Sequence, residues 1–204
     1  MNGSDDPSRQ TLQYYEAYAQ QFREGTHAHD VSQNLDALLS AIEATAPLRI
    51  LDFGCGPGRD LVELRRRGHI ATGLDGCAQF VAMARETGAG EVWHQDFLAL
   101  SLPAGHFHGV FANAALFHIP SRFLPRVLDA LSTTLVAGGI LFCSNPRGDN
   151  QEGLSGGRYG CFFDLARWRE LFSAAGFREL GHYYRPSGLP RAQQPWLAMT
   201  WRRP

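Results

Sequence analysis

Residues 50–60 read "ILDFGCGPGRD", an apolar run followed at once by three glycines at positions 54, 56 and 58. Ile50, Leu51 and Phe53 suit a buried strand, while Asp60-Leu61-Val62-Glu63-Leu64 opens a helical pattern, so the glycines occupy a strand-to-helix turn. At the edge of an open parallel sheet such a turn is where nucleotides bind.

Working outward, the chain alternates. A first strand over about 49–53 is followed by a helix to about Arg67, and then by "HIATGLD", "AQFVAMARE" and "GEVWHQD" as strand, helix and strand. "HGVFANA" predicts a fourth strand, "SRFLPRVLDALSTTL" a helix and "GGILFCSNP" a fifth strand. Two helical patterns, 10–23 and 31–44, precede all of this. After a helix in "DLARWRELFSAAG" come "FRELGHYY" and "PWLAMTWRR" with no helix between them, which predicts an antiparallel hairpin at the sheet edge. The fold class expected is therefore α/β, a Rossmann-like, doubly wound and mainly parallel seven-stranded sheet with an antiparallel C-terminal hairpin and N-terminal helices. Residues 145–160, "NPRGDNQEGLSGGRYG", are expected to form a long glycine-rich loop over the site.

A length of 204 residues fits one domain, divided here into a helical cap at 1–46 and a core at 47–204. The net charge of −1 gives no basic field, so no nucleic-acid partner is expected, and Arg65-Arg66-Arg67 reads as a solvated helix end. All nineteen basic residues are arginine, which excludes a phosphate loop ending in Lys-Ser/Thr and a lysine Schiff base. Cys55, Cys77, Cys143 and Cys161 form no C-x-x-C pair, and each reads as a packed free thiol. The polar start "MNGSDDPSRQ" and the lack of a long apolar run predict a cytoplasmic protein with no membrane partner, as a monomer or homodimer. His27 and His29 in "THAHD" lack a third ligand at metal spacing, so no metal is expected.

The glycine spacing departs from the dinucleotide pattern G-x-G-x-x-G, because Arg59 stands where the third glycine would fall. Asp52 precedes the turn, Asp75 ends the second strand and Asp96 follows the third. With these residues and the N-terminal helices, the chain from about residue 48 onward resembles the class I S-adenosylmethionine-dependent methyltransferases. That resemblance implies S-adenosyl-L-methionine as cofactor, with S-adenosyl-L-homocysteine as product. It implies that Gly54, Gly56 and Gly58 let the backbone pass close to the methionine portion, where any side chain would collide with it. It further implies that Asp75 accepts from the ribose hydroxyls, Asp96 takes the adenine amino group, and the Phe97 amide lies near the ring. Tyr14, Asp52, Cys55, Arg59, Gly76 and Asn113 complete the implied cofactor wall, with Asp60 beside Arg59 at the helix start.

A sulfonium methyl is already activated, so such an enzyme mainly aligns a nucleophile and excludes water. His118, with an ordinary pKa near ~6.5, is the candidate base, and Asn113 its companion in the catalytic set. Tyr15, Phe117, His118, Arg147, Arg158 and Tyr159 are the candidate acceptor contacts, the arginines because a guanidinium can grip a carboxylate. Residues 111–131 and 156–177 resemble the tellurite-resistance-type branch of the family, which implies a small-molecule acceptor: a thiol, a chalcogen, or a nitrogen of a small heteroaromatic or thiohistidine-like metabolite. The sequence "NAAL" after the fourth strand lacks the Asn-Pro-Pro-Tyr/Phe motif of enzymes that methylate amino groups of nucleic acid and protein. Two other readings stand beside this one: a macromolecular methyltransferase acting on tRNA or protein, and a catalytically silent cofactor-binding regulatory module.

Overall fold

The computed structural model describes residues 7–204; the expectations for residues 1–6, the start of the cap, lie outside the described residues. Seven strands form one sheet: β1 (Arg49–Phe53), β2 (Ile70–Asp75), β3 (Glu91–His94), β4 (Phe107–Asn113), β5 (Leu135–Pro146), β8 (Arg178–Arg185) and β9 (Trp196–Arg202). Their order is β3-β2-β1-β4-β5-β9-β8. The first five run parallel, and β9 pairs antiparallel with β5 and with β8. The order reverses beside β1, which places the switch point of the sheet at the glycine turn.

Alternate residues of each strand serve opposite faces. Leu51 and Phe53 of β1 point into a core with α5 (Leu124–Thr134) and α6 (Leu165–Ala174), where Trp201 stacks on Phe172 at 4.5 Å. Ile50 points the other way, toward α2 (Ser32–Ala41), α3 (Arg59–Arg66) and α4 (Ala78–Glu86). In α3, Leu61 and Leu64 are buried, while Glu63 pairs on the outer side with Arg66 and Arg67; the arginine run is a paired helix end. Asp164 is the N-cap of α6, its side chain accepting from the Arg167 amide at 2.8 Å.

The segment expected to be a loop at 145–160 is different. It carries β5 to Pro146 and then a separate two-stranded hairpin, β6 (Gln151–Ser155) and β7 (Arg158–Phe162). Gly156 and Gly157 form its turn with φ of 56° and 81°, the two positive angles a tight hairpin turn of matching twist requires. Tyr159, Gly160 and Cys161 of β7 are buried, and α1 (Pro7–Thr26) lies against them, the Tyr159 amide donating to Thr11 Oγ1 at 2.8 Å. The hairpin thus fastens the N-terminal helix across the carboxyl ends of the strands.

Candidate active site

Beneath that helix, the carboxyl ends of β1, β2 and β4 border a cavity of about 630 Å³. Its wall takes in Gly54, Cys55, Gly56 and Arg59 from the turn, and Asp75, Gly76, Asp96 and Phe97 beyond β2 and β3. The three glycines play separate parts. A Cβ at Gly54 would lie 2.6 Å from the Ala115 Cβ, and one at Gly58 would lie 2.9 Å from the Ala84 Cα. These two are glycines because protein packs against them, and Gly58 is not on the cavity wall. A Cβ at Gly56 would meet nothing nearer than Phe22 at 3.8 Å, so its open side faces the cavity. The expectation that a side chain at any of the three would strike the ligand is thus corrected to Gly56 alone.

Asp75 holds the turn in place. One carboxylate oxygen accepts from the Gly56 amide and the other from the Cys77 amide, each at 2.9 Å. Burial pushes its carboxyl up to about 6 despite these amides. Each oxygen keeps a lone pair for a ligand hydroxyl. Asp96 lines the cavity with one oxygen accepting from the Leu98 amide at 2.8 Å, and Phe97 stacks on Phe53 at 4.3 Å. Asp52 is different: it is sealed behind the turn, off the wall, and its Oδ2 has no partner. Burial, with Asp60 nearby, raises its carboxyl well above the usual range. Arg59 and Asp60 both reach the wall, but they grip each other through two hydrogen bonds of 2.7 and 2.9 Å, and Arg59 also donates to the Thr26 carbonyl at 2.9 Å. Burial pushes the Cys55 thiol up, which leaves it a wall atom and not a nucleophile.

At the mouth formed by α1, residues 116–118 and β7, Tyr15, Phe117, His118 and Arg158 come together on one wall. His118 Nδ1 is 2.6 Å from the Tyr159 carbonyl oxygen, which can only accept, so Nδ1 carries the hydrogen. Nε2 then accepts from the Tyr15 hydroxyl at 2.8 Å. Both ring nitrogens are engaged, and burial lowers the imidazole to about 4. His118 is accordingly a neutral strut between α1 and β7, and the expectation of a general base is corrected on that ground. Asn113 lines the cavity; its Oδ1 accepts at 2.9 Å from buried Asn34, whose own oxygen accepts from the Tyr183 hydroxyl at 2.7 Å.

Three other expected contacts lie off the wall. Tyr14 faces the hairpin, against Gly157 and under the Arg158 guanidinium, because adjacent helix positions point about 100° apart. Arg147 donates to the carbonyls of Gln194 and Arg191 and so braces the loop before β9. Tyr159 is buried, with its hydroxyl donating to Glu152. Wall residues absent from the sequence reading include Leu12 and Phe22 of α1, Phe80 of α4, and Arg185 and Trp196 from the final hairpin. The apolar stripe of α1 was the available signal for Leu12 and Phe22. Arg185 and Trp196 belong to the arginine- and aromatic-rich tail and arrive through the β8–β9 pairing. Among the described residues no helix is long and apolar enough to cross a membrane.

Residues 50–139 match a protein-family model described as a methyltransferase domain. The chain is 34% identical over 110 residues to malonyl-[acyl-carrier protein] O-methyltransferase of Enterobacter lignolyticus, covering 53% of this chain and 43% of that protein. It is 32% identical over 142 residues to trans-aconitate 2-methyltransferase of Rhodopseudomonas palustris, covering 68% of this chain and 53% of the relative. The chain thus spans about half the length of these curated relatives. In structure it is similar to Burkholderia thailandensis 1,6-didemethyltoxoflavin-N1-methyltransferase, solved with 1,6-didemethyltoxoflavin and S-adenosylhomocysteine, at a TM-score of 0.77 and 21% identity over all of this chain and 91% of that one. The [4+2]-cyclase SpnF matches with the same TM-score, 0.77, at 18% identity over 97% of this chain and 96% of its own. These structural likenesses establish the Rossmann-like fold; one fold carrying both reactions leaves the chemistry to the residues of the cavity.

Proposed function

We propose that this protein binds S-adenosyl-L-methionine along the wall from Gly56 to Phe97 and transfers its methyl group to a small molecule. The observation that carries the reading is the open side of Gly56, on one cavity wall with the carboxylates of Asp75 and Asp96. The residues present fit that ligand: the wall is clear where an extended methionine portion needs room, Asp75 has lone pairs left for a ribose diol, and Asp96 and Phe97 offer an acceptor and an aromatic face. The similar methyltransferases add support.

When bound, the cofactor supplies an activated methyl group on a sulfonium. The protein's share is to hold and shield. Asp75 and the Gly56 amide fix one end, while the Tyr15–Phe22–Phe80 ring cluster, with ring centroids 5.1–5.4 Å apart, closes the α1 side against water. Residues 47–204 serve as the methyltransferase core and the preceding helices as its cap. A cavity of this volume suits a small acceptor more than a macromolecular one. The tellurite-resistance-type branch expected from residues 111–131 and 156–177 is supported by sequence likeness only.

The test is calorimetric titration with S-adenosylhomocysteine and, in parallel, NADH. Micromolar binding of the first alone is the expected result. Binding of NADH instead, or of neither, would refute the reading. Asp75→Ala should weaken S-adenosylhomocysteine by roughly 1–3 kcal/mol through lost hydrogen bonds.

A further inference from the structure

Among the described residues, Arg158 is a cation on the cavity wall without a counter-ion. Its guanidinium carbon lies 5.1 Å from the ring centre of Tyr14 and 5.8 Å from that of Tyr15, and Nη1 makes one long hydrogen bond, 3.4 Å, to the Tyr15 hydroxyl. Its Nε is buried with no partner. Among the described residues no carboxylate pairs with it, whereas Arg59, on the same wall, grips Asp60. A half-buried guanidinium left this way is costly unless an anion completes it, and its planar fork matches a carboxylate.

The surroundings narrow the anion. The Tyr15 proton is directed to His118 Nε2 and the His118 Nδ1 proton to the Tyr159 carbonyl, so His118 presents no free ring nitrogen to an acceptor, and burial makes its imidazole a poor proton store behind Tyr15. An acceptor oxygen that must lose a proton before it can take a methyl group therefore has to arrive already ionised, and carboxylic acids do so at neutral pH while alcohols do not.

Resting on the methyl-transfer reading above, we propose that the acceptor is a small carboxylic acid bound as its anion, with one oxygen held by Arg158 and the other methylated to give the methyl ester. A lone pair of the free carboxylate oxygen forms the new O–CH3 bond as the CH3–S bond breaks, and the electron pair of that bond goes to sulfur. The negative charge of the acid and the positive charge of the sulfonium vanish together. No proton moves, and no base, oxidant or reductant is needed. Carboxylate oxygen thus takes the place of the thiol, chalcogen and ring-nitrogen acceptors expected from sequence.

The test uses the full chain, with and without saturating S-adenosylhomocysteine, titrated with sodium benzoate and sodium succinate and with benzamide and succinamide as uncharged matches. In parallel, S-adenosylmethionine labelled in its methyl group is incubated with the small-molecule fraction of a bacterial lysate, and the product is treated with alkali, which releases labelled methanol from an ester but not from an S- or N-methyl compound. The expected result is that the acids bind and the amides do not, and that the label is alkali-labile. In Arg158→Gln both signals should fall by roughly 10²-fold, as for a truncated buried charge pair, with S-adenosylhomocysteine affinity unchanged and partial recovery in Arg158→Lys. Equal binding of acids and amides, an alkali-stable or absent label, or an unaffected Arg158→Gln variant would overturn the proposal. Failure to bind S-adenosylhomocysteine would instead remove the methyl-transfer reading, and the titration without it would still decide whether Arg158 holds an anion.

Discussion

Replacing the three turn glycines one at a time by alanine should separate ligand space from protein packing. All three have positive φ, 78°, 53° and 91° in chain order, so each alanine carries a backbone cost of about 1–2 kcal/mol. At Gly56 there is little more to add, since the new methyl meets only Phe22 at an ordinary 3.8 Å. Gly56→Ala should therefore lower Tm by only about 2–8 °C. Yet its methyl enters the space assigned to the ligand, and overpacking of about 1–3 kcal/mol there corresponds to S-adenosylhomocysteine binding about 5- to 150-fold weaker. At Gly58 the methyl would be 2.9 Å from the backbone of Ala84, so α3 and α4 must part and a further ~1–3 kcal/mol is lost from stability. Affinity of the folded Gly58→Ala protein should stay within about threefold of the parent, because that methyl is off the cavity wall. Gly54→Ala should lose both, since its methyl strikes Ala115 at 2.6 Å and approaches Phe97, itself on the wall, at 3.4 Å. Urea unfolding gives the stability and calorimetry at 10 °C the affinity. Parental affinity in Gly56→Ala, or a Gly58→Ala protein of parental stability that no longer binds, would refute the assignment of roles.

Asp75 should make binding pH-dependent: its carboxyl titrates near 6, and only the anion can accept from both turn amides and ligand hydroxyls, so S-adenosylhomocysteine affinity should fall about tenfold per pH unit below about 6 and be flat above it. Because that value is raised above the ordinary carboxylate range, this group's contribution to folding stability is fully present below about 4 and is lost as pH rises through 6; apo stability and ligand affinity therefore move in opposite directions, and calorimetry from pH 5 to 8 beside urea melts checks both. Tyr15→Phe should cost about 1–3 kcal/mol of stability, read by urea unfolding, because it strands the buried Nε2 of His118; no change would dissolve the strut. Arg147→Ala and Tyr159→Phe, which remove bonds to Gln194 and Glu152 off the wall, should lower Tm by a few degrees while leaving S-adenosylhomocysteine affinity within about threefold; a large loss of affinity would return either residue to the site.

The sheet was legible because its strands are short apolar runs bounded by turn residues, and because the β1–turn–α3 unit cannot be anything but a crossover start. The family resemblance implied Asp75, Gly76, Asp96 and Phe97 as wall residues, and all four line the cavity because the fold presents their strand ends to the same edge. The errors came where a neighbour decides the role. Gly58 follows the same pattern as Gly56, and only the approach of Ala84 from the next helix shows that it serves packing. Tyr14 and Tyr15 are equivalent in sequence until the hairpin claims one ring and leaves the other to the cavity. That hairpin did carry a local signal, Gly156-Gly157 between Leu154 and Tyr159, which the abundance of surrounding glycines obscured. His118 shows the limit most plainly: its position at the mouth was legible, but its unsuitability as a base depends on a carbonyl forty-one residues away.

The charges of the cavity argue that the two proposals belong together. On the side of the glycine turn, Asp75 and Asp96 lie on the wall, with the only arginine of that turn committed to Asp60. At the mouth, Arg158 has no anion among the described residues, and the histidine beside it is held neutral. A cationic donor is favoured at the first and an anionic acceptor at the second, and in a half-enclosed site both attractions are stronger than in water. On the proposed reading the reaction cancels both ligand charges at once. The products then keep their hydrogen bonds and stacking but lose the attraction that drew the reactants in, so the same wall that gathers two charged ligands weakens its hold when the methyl has moved. An acceptor that entered neutral would leave Arg158 unsatisfied throughout, which is why the uncharged amides are the deciding control.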